Sequence, residues 1–169
     1  LVMYDRYQGN LWQQITGEAI VGEAARRSEV LTTIPVTTQY WLSWRDADAN
    51  VKVLSRDTGY IRDYNHYPYG AYKEEDTLFF GVENTDLALP TKMPVYGIEI
   101  DGASKAYPVE YLEGVNSFTD MVGDVEVEVS IEGDVITFTN KNTGAVIAPV
   151  RLFWFAWAAF HPGTDVWVG

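Results

Sequence analysis

Val125-Glu126-Val127-Glu128-Val129-Ser130-Ile131 alternates β-branched apolar residues with Glu and Ser, and this stretch decides the fold class. Successive side chains of a strand point to opposite faces, so the alternation predicts a strand with one buried and one solvated face. Gly133-Asp134 then predicts a tight turn, because both residue types tolerate the backbone angles that such turns require. The following run, Val135-Ile136-Thr137-Phe138-Thr139, completes a predicted β-hairpin.

Short apolar or β-branched runs between Gly, Asp or Asn residues predict strands along the rest of the chain. These runs lie at 1–6, 11–15, 30–36, 51–55, 77–82 and 95–100. Three short helices are predicted at 38–49, 109–115 and 153–161. The sequence therefore predicts a mainly β fold with two twisted antiparallel sheets, or a partly open barrel, and short helices.

Two Trp pairs indicate an internal duplication. Trp41 and Trp44 have the same spacing as Trp154 and Trp157, which places both rings of each pair on one face of a helix. A weaker likeness precedes each pair, between residues 3–9 and 138–144. We expect all four indoles to be buried at equivalent ends of two units. The units would be 1–60, the end of a first repeat, and 94–169, a second repeat, joined by an aromatic-rich loop region at 61–93.

The composition excludes several functional classes. The 169 residues carry a net charge of −12, with no basic cluster longer than Arg26-Arg27, which disfavours nucleic-acid binding. There is no Cys, so disulfides, thiolate metal sites and Cys nucleophiles are excluded. No apolar run is long enough to span a membrane. Because the chain opens directly on a strand-like run, we expect the natural protein to begin further upstream.

The motifs, in their order along the chain, resemble an uncharacterised family known as domain of unknown function 3179. They begin with Tyr4-Asp5-Arg6, Leu11-Trp12-Gln13-Gln14 and Gly17-Glu18-Ala19-Ile20. They continue with the Trp41 and Trp44 pair, residues 54–60, Arg62-Asp63-Tyr64, Pro68-Tyr69 and Ala71-Tyr72. They end with Lys105-Ala106-Tyr107-Pro108, Asp120-Met121-Val122-Gly123 and residues 155–162.

This resemblance implies a location outside the cytoplasm, since members are typically longer bacterial or archaeal proteins, often with an export signal or a lipoprotein anchor. The chain departs from the family pattern in two ways. It lacks the upstream portion with a Tyr-Cys-Pro-Leu type segment. Where the family tends to have His-Pro-Asp-Thr, it has Asp46-Ala47-Asp48-Ala49-Asn50. The resemblance supplies no activity, so no catalytic residue is transferred.

An acidic run has part of the spacing of a calcium loop. Asp46, Asp48 and Asn50, with Asp57 at the twelfth position, supply oxygens at the expected intervals. The sixth position is Val51 instead of the Gly that the turn needs, and the twelfth is Asp instead of Glu. An acidic turn after a helix is therefore favoured over calcium binding.

The loop from Tyr60 to Tyr72 is the predicted binding surface. It holds five Tyr, and its polar residues include Arg62, Asp63 and His66. Exposed rings are typical of binding surfaces, although such a loop can also be held down by its own rings. The candidate binding residues are Trp12, Arg62, Asp63, Tyr64, His66, Tyr67 and Tyr69.

Histidine and Asp–Arg pairs offer weaker alternatives. A carboxylate near His66 would form an acid–base pair, whereas His161 suits the C-terminal end of a helix. Arg6 beside Asp5 favours a salt bridge that closes a hairpin, and the same interpretation is favoured for Asp63 with its neighbouring Arg residues.

The sequence therefore predicts an extracytoplasmic structural or interaction module with an aromatic surface for a protein or glycan partner, or with self-association through an unpaired strand edge. The alternative is a metal-handling or enzymatic domain whose decisive residues lie partly upstream, with Met3, Asp63, His66 or His161 contributing here.

Overall fold

The computed structural model describes residues 1–48, 50–83 and 85–169, in which short strands predominate. The strands are β1 Val2–Tyr4, β2 Leu11–Gln13, β3 Ala19–Val21, β4 Pro94–Ile100, β5 Ala103–Pro108, β6 Phe118–Val122, β7 Val125–Glu132, β8 Val135–Asn140, β9 Val146–Ile147, β10 Val150–Phe153 and β11 Asp165–Val166. The helices are α1 Glu23–Arg26, α2 Trp41–Ala47, a 3-10 helix at Val109–Leu112, and α3 Trp154–Phe160.

The strands form three sheets, with the orders β1-β2-β3, β10-β4-β5-β11 and β6-β7-β8-β9. All pairs are antiparallel except β5 with β11, which run parallel. The mainly β prediction is confirmed, with three sheets instead of two and no closed barrel in the described part of the chain. The division into 1–60, 61–93 and 94–169 stays a prediction.

The central hairpin is confirmed. β7 and β8 pair antiparallel from Val127 opposite Asn140 to Glu132 opposite Val135. Val127 and Val129 are fully buried while Glu128 is exposed, as the alternation predicts. The sequence pattern therefore fixes which face of this sheet contacts the core.

The core consists of two groups of buried side chains, both formed mainly by residues after position 88. The first group lies between the second and third sheets and contains Ile98, Tyr107, Leu112, Val122, Val127, Val129 and Phe138. The second group packs α3 against the second sheet and contains Leu89, Val95, Ala106, Trp154, Trp157 and Ala158. Gly97 permits this packing, since a Cβ there would lie 2.3 Å from Cε3 of Trp157.

Three strand predictions are wrong. No strand forms among the described residues of 51–55 and 77–82, and in 30–36 only Val30 makes an isolated bridge, to Glu18. Ile34 and Val53 are exposed and belong to no strand, and Val30 remains 60% exposed despite its bridge. β-branched residues favour strands only where a half-buried sheet surface is present, so local preference was insufficient.

The three predicted helices form, but each is shorter than predicted. The run at 109–115 gives only a 3-10 turn at Val109–Leu112. No helix of the described residues has the length and apolarity that a membrane crossing requires.

The burial prediction holds for only one Trp pair. Trp154 and Trp157 are 0% and 1% exposed, whereas Trp41 and Trp44 are 46% and 41% exposed. Each pair does begin a seven-residue helix. The prediction is wrong for Trp41 and Trp44 because α2 lacks the sheet that α3 packs against. The internal duplication is therefore not confirmed.

Candidate interaction surface

The segment between α2 and β4 carries six of the thirteen exposed aromatic rings of the described residues. Its described residues form neither helix nor strand. Tyr60 is 74%, Tyr69 58%, Phe79 58% and Phe80 84% exposed. Exposed aromatic rings at this density are unusual for a surface that contacts only water, because each ring offers a large apolar area to a partner.

Six rings of this surface contact one another in a continuous series, which we call the aromatic cluster. Centroid distances are 5.5 Å from Tyr67 to Tyr69, 6.2 Å from Tyr69 to Phe79, 4.1 Å from Phe79 to Tyr72, 6.5 Å from Tyr72 to Phe153, and 6.2 Å from Phe153 to Phe155. The cluster thus runs from the loop onto β10 and α3. Its half-buried end anchors the exposed end on the folded core.

Lys92 attaches the loop to the core through its buried ammonium group. Only 8% of Lys92 is exposed, and its ammonium donates hydrogen bonds to the backbone carbonyls of Tyr72 and Thr77. The same Nζ lies 3.5 Å from the centroid of the Tyr72 ring. Carbonyl oxygens and a ring face together replace the water that a buried ammonium loses. The Tyr72 end of the loop is therefore held in place.

A small pocket opens beside the cluster. It has a volume of about 370 Å³ and is lined by Lys73, Pro94, Arg151, Leu152, Phe153 and Ala156. Lys73 also lies over the Tyr67 ring at 4.7 Å. In a chain of net charge −12, the lining of this pocket combines apolar side chains with two cations, Lys73 and Arg151. Such a site accommodates an apolar group that lies next to a negatively charged group of the same ligand.

The structure brings two of the predicted binding residues, Tyr67 and Tyr69, into the aromatic cluster. Tyr64 is separate from it, with its hydroxyl 3.2 Å from that of Thr58. Arg62 is exposed within the same loop and outside the cluster. Trp12 lies in β2, where its indole N–H donates to Asp5 at 3.1 Å, so it belongs to the first hairpin.

The acid–base pair of His66 with Asp63, which the sequence offered as the weaker alternative to a surface loop, does not form. The Asp63 carboxylate instead accepts the backbone N–H of Asn65 at 3.0 Å, and Arg56 donates to the Asn65 side chain at 3.3 Å. The salt bridges predicted for Asp63 and its neighbouring Arg residues are therefore wrong. Local hydrogen bonds satisfy the carboxylate because Asp readily bonds to the backbone two residues on.

The salt bridge predicted between Asp5 and Arg6 is also wrong. The Asp5 carboxylate makes no ion pair with Arg6 and accepts hydrogen bonds from Gln8, Gly9, Asn10 and Trp12. The backbone N–H of Gln8 is the largest cause of a lowered pKa of Asp5, at about 2, followed by the amide of Asn10.

Sequence reasoning missed Phe79, Phe153, Phe155 and Lys92, and it left Tyr72 out of the candidate residues although Tyr72 ends the predicted loop. The loop residues Tyr72 and Phe79 could have been found from ring density alone. Phe153 and Phe155 could not, because their contact with the loop depends on where β10 lies in the fold.

The acidic run after α2 does not form a carboxylate cluster in the structure. Asp46 accepts hydrogen bonds from Arg45, and Asp48 accepts the backbone N–H of Asn50 at 2.8 Å. Asp57 is exposed further along the chain. Across residues 1–48, 50–83 and 85–169, no three His, Cys, Asp or Glu side chains gather as a metal site would require. The calcium loop, part of which falls on the undescribed Ala49, stays a prediction.

One His–carboxylate pair does form, in a cleft of about 490 Å³ between the first sheet region and α3. Nδ1 of His161 lies 3.3 Å from Oε2 of Glu99, and the imidazole stacks on Trp157 at 3.7 Å. Burial lowers the pKa of His161, while the Glu99 carboxylate partly offsets this. The neutral imidazole that results can accept a proton, which is what general base chemistry requires. The enzymatic alternative stays a prediction.

The sequence profile of a family described as a protein of unknown function, DUF3179, matches residues 1–147. The chain belongs to the DUF3179 family. No curated protein and no solved structure shows significant similarity to it.

The family match includes most of the aromatic cluster in this DUF3179 domain. The loop rings from Tyr67 to Phe79 lie inside the matched residues, whereas Phe153 and Phe155 lie beyond them. The resemblance based on the sequence motifs is thus confirmed for residues 1–147. The description of the family carries no activity, so function is argued from the geometry of the domain.

Proposed function

We propose that this DUF3179 domain is an interaction module that binds a protein partner through the aromatic cluster. One observation carries the proposal: six rings in continuous contact are anchored at one end in the core and exposed at the other. Anchored rings lose little conformational entropy when a partner covers them, which is why Tyr is enriched at energetically important interface positions.

A protein partner is favoured over a glycan by the apolar side chains that the same segment exposes. Leu54 is 95%, Phe80 84% and Leu87 88% exposed in the segment that carries the loop rings of the cluster. Interface cores are rich in such apolar and aromatic side chains, with charged residues depleted. The adjacent pocket, with Lys73 and Arg151 in its lining, supports a partner segment that presents an apolar side chain next to an acidic one.

The same proposal places the module outside the cytoplasm, and the support is the resemblance to a family whose members often carry export signals. A fusion of the natural full-length protein to alkaline phosphatase, an enzyme that is active only after export, provides the test. Activity in intact cells is expected, and its absence would place the protein inside.

Selection of peptides on the purified domain tests the binding function. Random peptides displayed on phage are selected against the wild-type domain, and their affinities are compared with those for the double variant Tyr69→Ala, Phe79→Ala. Loss of each interface ring is expected to weaken binding by about 30-fold, and loss of both by up to about 1,000-fold, since such residues each contribute on the order of 2 kcal/mol. Binding is measured by calorimetry at one salt concentration.

Tyr60→Ala is the matched control, because Tyr60 is a ring of the same loop that is 74% exposed and lies outside the aromatic cluster. It is expected to leave the affinities unchanged. Selected peptides that bind the double variant as tightly as the wild type would contradict the proposal. Binding on a glycan array that the double variant abolishes, with no selected peptides, would assign the surface to sugars instead.

A further inference from the structure

The cleft that contains His161, which we call the His161 cleft, combines an apolar wall with negative charge. Its volume is about 490 Å³. Among the described residues that line it, the carboxylates Glu18 and Glu99 carry charge and no Lys or Arg is present. The apolar part of the lining consists of Ile15, Val30, Pro35, Val146, Ile147 and Val150. Such a lining accommodates a ligand that has an apolar body and a positive charge.

Both carboxylates of the cleft are accessible and lack a Lys or Arg partner among the described residues. Glu99 lies on β4 with its side chain 51% exposed, and Glu18 is exposed just before β3, where it accepts a hydrogen bond from the Thr16 hydroxyl at 3.2 Å. Elsewhere in the chain, carboxylates do pair with Arg or Lys, namely those of Glu23, Glu29 and Glu126. Two carboxylates without such partners at one cleft give it a negative potential that attracts cations.

The imidazole of His161 adds a hydrogen-bond acceptor to the cleft. Its side chain is only 10% exposed, and Nδ1 lies 3.3 Å from Oε2 of Glu99. Nε2 has no hydrogen-bond partner in the described part of the chain, where every side-chain N or O atom sealed from solvent has one, so Nε2 reaches the cleft that His161 lines. Burial lowers the pKa of His161, so the ring is neutral at about pH 7.5 and one nitrogen keeps its lone pair.

The imidazole is held in place before any ligand binds. It stacks on Trp157 with the ring centroids 3.7 Å apart, and the Trp157 indole N–H donates to the Thr164 hydroxyl at 2.9 Å. The backbone N–H of His161 donates to the Trp157 carbonyl at 2.9 Å, and its carbonyl accepts the N–H of Thr164 at 3.1 Å. An acceptor fixed in this way loses little conformational entropy on binding.

The groups of the cleft suit an ammonium ion better than a metal ion. A protein metal site generally uses three or more protein ligands, and no three His, Cys, Asp or Glu side chains gather in that way among the described residues. A primary ammonium carries three N–H donors, which carboxylate oxygens and a neutral imidazole nitrogen accept. The apolar wall can cover the carbon atoms attached to it.

We propose that the His161 cleft binds a small organic molecule with a primary ammonium group on an apolar body, and that the ammonium pairs with Glu99 and donates to the imidazole of His161. The cleft and the aromatic cluster have no residue in common. The proposal therefore does not depend on the proposed function, and the double variant Tyr69→Ala, Phe79→Ala is expected to bind the amine as the wild type does.

The probe is 2-phenylethylamine, added to the purified 169-residue chain and followed by the NMR shifts of the backbone amides. The titration is made at about pH 7.5 and about 0.15 M salt, where long-range attraction to the acidic chain is largely screened. Saturable shifts are expected at Gly97, Glu99, Ala148 and His161. The alcohol 2-phenylethanol, which has the same apolar body without the charge, is expected to bind about fivefold more weakly.

Glu99→Gln keeps the shape of the side chain and removes its charge, and it is expected to weaken binding of the amine by about fivefold, as for a half-exposed ion pair. His161→Phe keeps a ring beside Trp157 without its nitrogens and is expected to weaken binding as well. Glu128→Gln is the matched control, because Glu128 is an exposed strand carboxylate outside the cleft, and it is expected to leave the affinity unchanged.

Four results would overturn the proposal. Equal weakening by Glu128→Gln would show that the amine follows the net charge of the chain. Equal affinity for the alcohol would show that the charge is not recognised, and shifts confined to residues outside the cleft would place the amine elsewhere. Zinc chloride that shifts the same amides and excludes the amine at a lower concentration would assign the cleft to a metal ion.

Discussion

Asp5 shows how one half-buried side chain closes a hairpin turn. It accepts the backbone N–H groups of Gln8 and Gly9, the amide of Asn10 and the indole N–H of Trp12. These donors favour the ionised form, which lowers the pKa of Asp5 from 3.8 to about 2. The sequence showed a carboxylate beside Arg6, and the interpretation as a salt bridge was wrong because the turn supplies closer donors.

The lowered pKa makes the hairpin sensitive to acid. The folded pKa lies below the unfolded value, so the contribution of Asp5 to stability is full above pH 3.8 and is lost as the pH falls toward about 2. The Asp5 carboxyl is expected to titrate near pH 2 when followed by NMR, and Asp5→Ala is expected to flatten the loss of stability in this range. Asp124→Ala removes an exposed carboxylate in the turn between β6 and β7, and it should leave this loss of stability at low pH unchanged. A titration midpoint near the ordinary Asp value would contradict the assignment.

At the scale of elements, α2 and α3 have the same length and the same Trp spacing but different energetics. Both indoles of α3 have hydrogen-bond partners: Trp154 donates to the carbonyl of Asp86 and Trp157 to the hydroxyl of Thr164, each at 2.9 Å. α2 is hydrogen-bonded to Asp134, whose carboxylate accepts the N–H of Tyr40 and lies 3.5 Å from the Ser43 hydroxyl. A buried ring contributes through apolar area and close packing, which α2 lacks.

Replacing one Trp of each helix by Ala measures this difference in stabilisation. Trp157→Ala is expected to lower the free energy of unfolding by about 3–5 kcal/mol, because it leaves a cavity above Gly97. Trp44→Ala, at the equivalent position of an exposed face, is expected to change the free energy by less than about 1 kcal/mol. Urea unfolding followed by circular dichroism gives both values. Equal losses for the two variants would show that α2 is covered in solution.

At the scale of the whole molecule, stability is unevenly distributed. Both core groups are formed by residues after position 88, whereas the segment from α2 to β4 contains no regular structure in its described residues and exposes most of its rings. Leu89 in the second core group and the bond of Asp86 to Trp154 attach the end of this segment, whereas Lys92 attaches its middle through Tyr72 and Thr77. Local opening is expected to be easiest where few apolar contacts are buried.

Limited proteolysis tests this distribution. Chymotrypsin is expected to cut first after exposed residues such as Leu54, Tyr60 or Phe80, and later within 94–169, because cleavage requires local opening. Lys92→Ala is expected to accelerate the first cuts without accelerating those within 94–169. Mass spectrometry of the fragments over time provides the measurement. Early cleavage at buried Phe138, before any cut in the loop, would refute this uneven distribution of stability along the chain.

The sequence by itself determined the features that depend on neighbouring residues. The alternation at 125–131 predicted the strand, its buried face and the hairpin with β8, and the ring density at 60–72 predicted an aromatic surface. These features follow from strand period and turn chemistry, which act over a few residues.

Tertiary structure alone decided which predicted elements found partners. It buried Trp154 and Trp157 and left Trp41 and Trp44 exposed, although the local sequences are alike. It also brought Phe153 to Tyr72, and His161 to Glu99. Burial requires a second surface in contact, and whether that surface is present depends on residues far away in the sequence.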